Sequence, residues 1–240
     1  MTRLGLVIGN SRLHWGYFQG GVLSQRWDTP HLCQDLSALP PDLRAYLGSL
    51  SLYGASVVPS QTALIDKLTP VAWLTLKSIP LKNLYPTLGI DRALGLLGAG
   101  AKYGFPSLVI DGGTALTFTG VDRGRSLVGG AILPGLRLQL LSLSQQTATL
   151  PEMTLPPILP PRWAKTTDEA ISGGILYTVL SGIFDFIWDW WRRFPDSPVI
   201  LTGGDGTVLS GFLKNQYPEL GERIHLDLDL VLVGMGICPF

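Results

Sequence analysis

A chain of 240 residues is long enough for one compact unit or for two domains of about 100–120 residues each. With 46% hydrophobic and only 15% charged residues it can bury a sizeable core, which excludes a disordered chain. Lys plus Arg equals Asp plus Glu, 18 each, so the charge balance gives no reason to expect nucleic acid as a partner.

The first apolar segment, Leu4 to Ile8, ends at Gly9-Asn10-Ser11. A second, Leu13 to Phe18, reaches Gly20-Gly21, and a third runs from Val22 to Trp27. Short apolar runs separated by such turns predict β-hairpins. Asp91 to Tyr103 carries Leu94, Leu97 and Ala101 at helical spacing and stops near Gly104 and Pro106. The meander then recurs: Leu108 to Ile110, the turn Asp111-Gly112-Gly113-Thr114, Leu116 to Val121, a turn at Asp122-Arg123-Gly124, and Leu127 to Leu133. The two openings align at an offset of 104, with Leu4, Leu6, Gly9 and Asn10 on Leu108, Ile110, Gly113 and Thr114, which suggests two related domains. Five prolines between Pro151 and Pro161 predict a loop or extended connector. Thr166 and Glu169 have capping-box spacing and open a long helix in which Ile171, Ile175, Val179, Ile183 and Ile187 recur, closing at Arg192-Arg193 before Pro195. The strand Val199 to Leu201 leads into Thr202-Gly203-Gly204-Asp205-Gly206.

The longest apolar run, Ala170 to Phe184, falls short of the ~20 residues of a membrane span, so no membrane association is expected. No basic stretch followed by an apolar core opens the sequence, so no signal peptide is expected. Cys33 and Cys238 form no CxxC pair and read as free thiols of a reducing, cytoplasmic compartment.

Three glycine turns offer backbone amides to an anion and together could hold a nucleotide, with phosphates on the first two and adenosine at the last. Each taken singly is equally a hairpin or helix-start turn. Neither a GxxxxGK[ST] loop nor GxGxxG spacing occurs, which argues against P-loop kinases and dinucleotide dehydrogenases. Asp91, just after Gly89, is either a helix cap or a base that deprotonates an attacking hydroxyl, and Arg92 could hold an anionic acceptor. Asp111 ends an apolar strand, where a buried carboxylate needs a cation or amides. With Thr166 as the cap, Thr167 keeps its hydroxyl for another task. His14, His31 and His225 are scattered and receive no catalytic role.

In chain order these blocks are Val7-Ile8-Gly9-Asn10-Ser11, Gly89-Ile90-Asp91-Arg92, Asp111-Gly112-Gly113-Thr114, Gly129-Gly130-Ala131-Ile132-Leu133-Pro134-Gly135, Thr167-Asp168-Glu169-Ala170-Ile171 and Thr202-Gly203-Gly204. The set resembles the type III pantothenate kinases of the acetate and sugar kinase/Hsp70/actin superfamily. The resemblance implies an α/β protein of two related ribonuclease H-like domains, 1–107 and 108–240, with an actin-like ATPase fold and the active site in the cleft between them. It implies ATP-dependent phosphorylation of pantothenate, the first step of coenzyme A synthesis. Asp91 would take the hydroxyl proton; Tyr85, Gly89, Ile90, Arg92 and Thr167 would bind pantothenate. Gly9, Asn10, Ser11, Arg12, Thr114, Gly203 and Gly204 would bind ATP with Mg2+, and Asp111 a monovalent cation, K+ or NH4+. Because the Thr167 position serves the neighbouring subunit in that family, a homodimer is implied. One departure stands out: the family pattern starts with Asp where this chain has Val7. That leaves two further readings, a non-catalytic binding or regulatory relative and a same-fold kinase for another acceptor.

Overall fold

The protein is described by a computed structural model that covers residues 2–239. It comprises two units. The first runs from the N-terminus to Tyr103 and also includes 125–127 and the chain from Asp229 onward; the second comprises 104–124 and 128–228.

In the first unit β1 (Thr2–Ile8), β2 (Leu13–Gln19) and β3 (Val22–Thr29) form the antiparallel meander. After α1 (Pro41–Tyr46), β4 (Leu52–Ser56) returns parallel to β1; α2 (Pro59–Leu68) then leads to β5 (Ala72–Trp73), and α3 (Ile90–Tyr103) closes the run. The sheet order is β3-β2-β1-β4-β5. Period-two alternation sends Leu4, Leu6 and Ile8 to one face, where they pack with Leu13, Trp15, Leu43, Leu52 and Ile65.

The second unit repeats this plan. Strands β6 (Ser107–Gly112), β7 (Ala115–Val121) and β8 (Leu127–Pro134) are followed by α4 (Leu136–Gln146) and α5 (Thr167–Arg193). Then come β9 (Val199–Thr202), α6 (Gly206–Gln216), α7 (Pro218–Arg223) and β10 (Ile224–Leu226). The order β10-β9-β6-β7-β8 is that of the first sheet read from its other edge, with β9 parallel to β6 as β4 is to β1. Two sheets of this one order make an α/β fold of two related ribonuclease H-like sheets, the relation that the repeat suggested and the fold that the family resemblance implied.

Helix α5 begins where the capping pair placed it: Thr166 accepts the Glu169 amide and donates to Glu169 Oε2 at 3.1 Å. Among the described residues it is the one helix long and apolar enough to cross a membrane. Its stripe of Leu176, Val179, Leu180, Ile183 and Ile187 instead fills the second unit's core against Ile110, Phe118 and Leu201, which is the packing of a core helix.

The chain ends in α8 (Leu230–Ile237), which lies across α3 in the first unit. The crossing is possible because both helices present glycine. A Cβ on Gly234 would meet the Leu94 carbonyl, and one on Gly98 the Leu230 carbonyl, each far inside van der Waals contact. Nothing approaches the Cβ position of Gly182 within 4 Å in the middle of α5. Gly234→Ala is therefore expected to cost about 3 kcal/mol by forcing the helices apart, while Gly182→Ala gains about 0.5–1 kcal/mol in helix propensity. Urea unfolding of the two variants reads both signs, and equal effects would contradict the packing account.

Candidate functional site

Five of the six acceptor residues predicted from sequence, Tyr85, Gly89, Ile90, Asp91 and Arg92, lie together at the N-terminus of α3, while Thr167 lies at the start of α5. Asp91 Oδ1 accepts the Arg92 amide at 2.8 Å, so the side chain does act as a local helix cap. Arg92 is buried, with 9% of the residue exposed, and its Nη1 donates to the Tyr85 hydroxyl at 3.1 Å. Gly89 leaves the carboxylate its room, since a Cβ there would collide with Asp91 Oδ1. Ile90 is buried beside them. Burial raises the Asp91 carboxyl above the ordinary carboxylate range; the Arg92 amide and the Arg92 charge pull the other way without cancelling it.

The Gly9–Arg12 turn joins β1 to β2 at the edge where β4 also ends. Gly9 N–H donates to the Arg12 carbonyl at 3.0 Å, enclosing Asn10 and Ser11. The Gly9 carbonyl in turn accepts from His31 Nε2 at 2.8 Å; a carbonyl only accepts, so this nitrogen carries the proton. Asn10, Ser11 and Arg12 are exposed. Val7, buried to 3%, stands opposite His14 on β2 and Ala55 on β4. Thus two histidines given no role from sequence flank this turn. Their signal is cross-strand position, which spacing along the chain does not carry.

The corresponding turn of the second unit is one residue shorter. Gly113 N–H donates to the Ala115 carbonyl at 3.0 Å and encloses Thr114 alone. Gly135, the N-cap of α4, donates to the Thr114 carbonyl at 2.9 Å. Asp111 pairs with Thr202 on parallel β9, beside the Gly203-Gly204 turn that opens α6. Gly203 is required twice: its φ is +86°, and a Cβ there would run into Asp111 Oδ1 and the Gly112 carbonyl. A carboxylate oxygen and a carbonyl oxygen thus pack directly against the Gly203 backbone, where any side chain would displace them. Asp205 N–H donates to the Gly112 carbonyl at 2.7 Å, and the nearly buried Asp205 carboxylate accepts from Arg137 Nε at 2.9 Å. Arg137 and Asp205 carried no sequence signal. Thr167 is exposed at the start of α5 in this same unit.

Two ribonuclease H-like sheets with glycine turns at matching strand ends make a protein of the actin-like ATPase fold. Solved structures agree on the fold. One, described as a conserved Baf family transcriptional activator from Campylobacter jejuni, superposes with TM-score 0.63 at 21% identity, over 97% of this chain and 94% of its own. The (R)-2-hydroxyglutaryl-CoA dehydratase component A of Acidaminococcus fermentans gives 0.58 at 12% identity, over 99% and 96%. The sequence profile of type III pantothenate kinase matches residues 3–188. A type III pantothenate kinase of Nostoc is 46% identical over 97% of this chain and 92% of its own length, and one of Synechocystis is 48% identical over 97% and 88%. The chain belongs to the type III pantothenate kinase family.

The raised Asp91 carboxyl has a consequence for stability. A group whose folded pKa lies above its unfolded value favours the fold below the ordinary carboxylate range, and that contribution is lost as pH rises through the folded value. Asp91→Asn, which keeps an acceptor for the Arg92 amide, should therefore melt at a higher temperature than the parent at neutral pH, with the gap closing toward acid. Scanning calorimetry across that range checks it; a gap that widens toward acid reverses the sign.

Proposed function

We propose that this chain transfers the γ-phosphoryl group of ATP to the hydroxyl of pantothenate, giving 4′-phosphopantothenate and ADP. The observation that carries the reading is the Asp91 site. A carboxylate at a helix N-terminus, with its proton affinity raised by burial, stands next to a buried arginine that is bonded to a tyrosine hydroxyl. Asp91 accepts the acceptor's hydroxyl proton as the new O–P bond forms and the bond to the β-phosphate oxygen breaks. Arg92 and Tyr85 hold the acceptor's carboxylate, with Gly89 and Ile90 lining the site. A non-catalytic relative has no use for a strained proton affinity at Asp91, and no comparison favours that reading.

The Gly9–Arg12 turn and Thr114 hold the nucleotide phosphates, and Gly203-Gly204 its adenosine side. Among the described residues no group of three His, Cys, Asp or Glu side chains could hold a metal by itself. The hard oxygens at Asp111 suit potassium or ammonium, whereas magnesium, commonly held by one carboxylate with substrate phosphates, would have to rely on the phosphates at the first turn, where Val7 supplies no carboxylate. Asp111, whose carboxylate lies beside the Gly112 carbonyl against the Gly203 backbone, is the residue that we assign to the monovalent cation. When bound with ATP at the Gly9–Arg12 turn, magnesium would supply charge neutralisation to the phosphates. Two free thiols, Cys33 and Cys238, accord with a cytoplasmic setting.

We also infer a homodimer in which Thr167 serves the neighbouring subunit. Its support is the apolar surface near that residue's helix: Phe186 and Trp188 on α5 are 43% and 52% exposed, and Trp163 just before it 89%. Light scattering should give twice the chain mass of 26.0 kDa, and a monomer at assay concentration removes the inference.

An ADP-coupled assay with magnesium and potassium tests the central reading. Release of ADP should require pantothenate, and Asp91→Asn should lower kcat by about 10²–10⁴-fold; undiminished turnover in that variant would sink it. In the same assay Val7→Asp, with its fold checked by circular dichroism, should reach half-maximal rate at lower magnesium.

A further inference from the structure

Four residues lie in a row across one face of the first sheet: Ala55 on β4, Val7 on β1, His14 on β2 and Asp28 on β3, each directly opposite the next. Val7 occupies the place of the family's carboxylate. Beyond it, His14 Nδ1 lies 2.5 Å from Asp28 Oδ1, and a carboxylate only accepts, so the ring donates there. That bond is the main reason the Asp28 carboxyl is held below its usual range, followed by the charges of His14, Arg26 and Arg12. The second ring nitrogen, Nε2, faces the phosphate turn: it lies 3.7 Å from where a Cβ on Gly9 would stand. The imidazole is 42% exposed, so a ligand over the turn can reach it.

We propose that His14 is a phosphate contact of this kinase, donating from Nε2 to an oxygen of the nucleotide held over the Gly9–Arg12 turn, with Asp28 as its positioning residue. The inference rests on the assignment of that turn to nucleotide phosphates. A carboxylate at position 7 would stand opposite His14, with Cβ atoms about 4.5–5.5 Å apart. It would place negative charge beside the phosphates and compete with Asp28 for the ring, and a metal would have to lie between it and them. Val7 removes that charge. The negative partner then lies one strand further out, at Asp28, and the ring between them presents a donor to the turn. Bound between carboxylate and phosphate, the imidazole carries a proton on each nitrogen, and both bonds are charge-assisted. As a plain cross-strand pair on a half-exposed surface, His14 and Asp28 would add little to stability and nothing to ligand affinity.

Calorimetric titration of the full chain with ADP and with adenosine, both without metal, separates these roles. His14→Ala should weaken ADP about tenfold or more, the loss of one charge-assisted hydrogen bond. It should leave adenosine affinity and the melting temperature unchanged. Asp28→Ala should weaken ADP to a smaller extent, and Asp28→Asn, which retains an acceptor for Nδ1–H, should restore most of the affinity. If His14→Ala does not fold, His14→Leu, which fills the same space without a donor, carries the same expectation. ADP affinity equal to the parent's in the folded His14 variant overturns the inference, as does an equal loss for adenosine. Arg12→Ala and Ser11→Ala are the controls for the underlying assignment. If either weakens ADP while the His14 variant does not, only the role of His14 fails. If ADP binds and none of these variants changes its affinity, the turn itself is not the phosphate site.

Discussion

The constraint on which the rest depends is the parallel pairing of each meander's first strand with a strand that arrives later: β4 beside β1, and β9 beside β6. Parallel partners end at the same sheet edge, so the hairpin turn and the exit from the later strand must lie next to each other. The ladder continues past the strands to enforce this. Val57 N–H donates to the Ile8 carbonyl at 3.1 Å, and Asp205 N–H to the Gly112 carbonyl at 2.7 Å. Every residue assigned to phosphate or cation in either unit follows from that edge. The glycines there are demanded by backbone approach, as the collision awaiting any Cβ at Gly203 illustrates.

A shared frame does not fix shared chemistry. At equivalent places the first unit has Val7 against Ala55, both buried and apolar, whereas the second has Asp111 against Thr202. At the second edge the carboxylate packs against the Gly203 backbone, which only glycine allows to come so close. The first edge carries its polar pair further out, on β2 and β3, in His14 and Asp28. Duplication thus reproduces topology and turn position, while the charge at each edge depends on a few side chains that pairing places there.

Much of this architecture was legible in the chain. Glycine and Asx punctuation marks all six meander strands, and the Thr166–Glu169 pair starts α5 at the observed residue, because these signals act over two to four residues. Strand β4 and helix α8 were not legible. β4 is five residues long with glycine in its middle, and Leu230–Ile237 is apolar with no clear period; both are specified by what they pack against. The same division holds for the site. Asp91, Arg92 and Asp111 lie in local motifs and could be singled out. His14, His31, Arg137 and Asp205 owe their positions to pairing across strands or to contacts between distant segments, and the role of each motif residue came from likeness to a family.

Asp91 shows why cap and base need not be rival readings. One carboxylate oxygen accepts the Arg92 amide, which ties the side chain to the helix start and fixes its direction. That bond and the Arg92 charge both favour the ionised form, so a fully solvated Asp in this place would be too weak a base to take a hydroxyl proton. Burial works against them and prevails, leaving a carboxyl of raised proton affinity that a solvent-facing cap would lack. The helix start therefore sets the geometry and limits the shift, and burial sets its direction. A cap whose proton affinity is raised in this way gives up some stability, the pattern expected where a site's function outweighs local stabilisation.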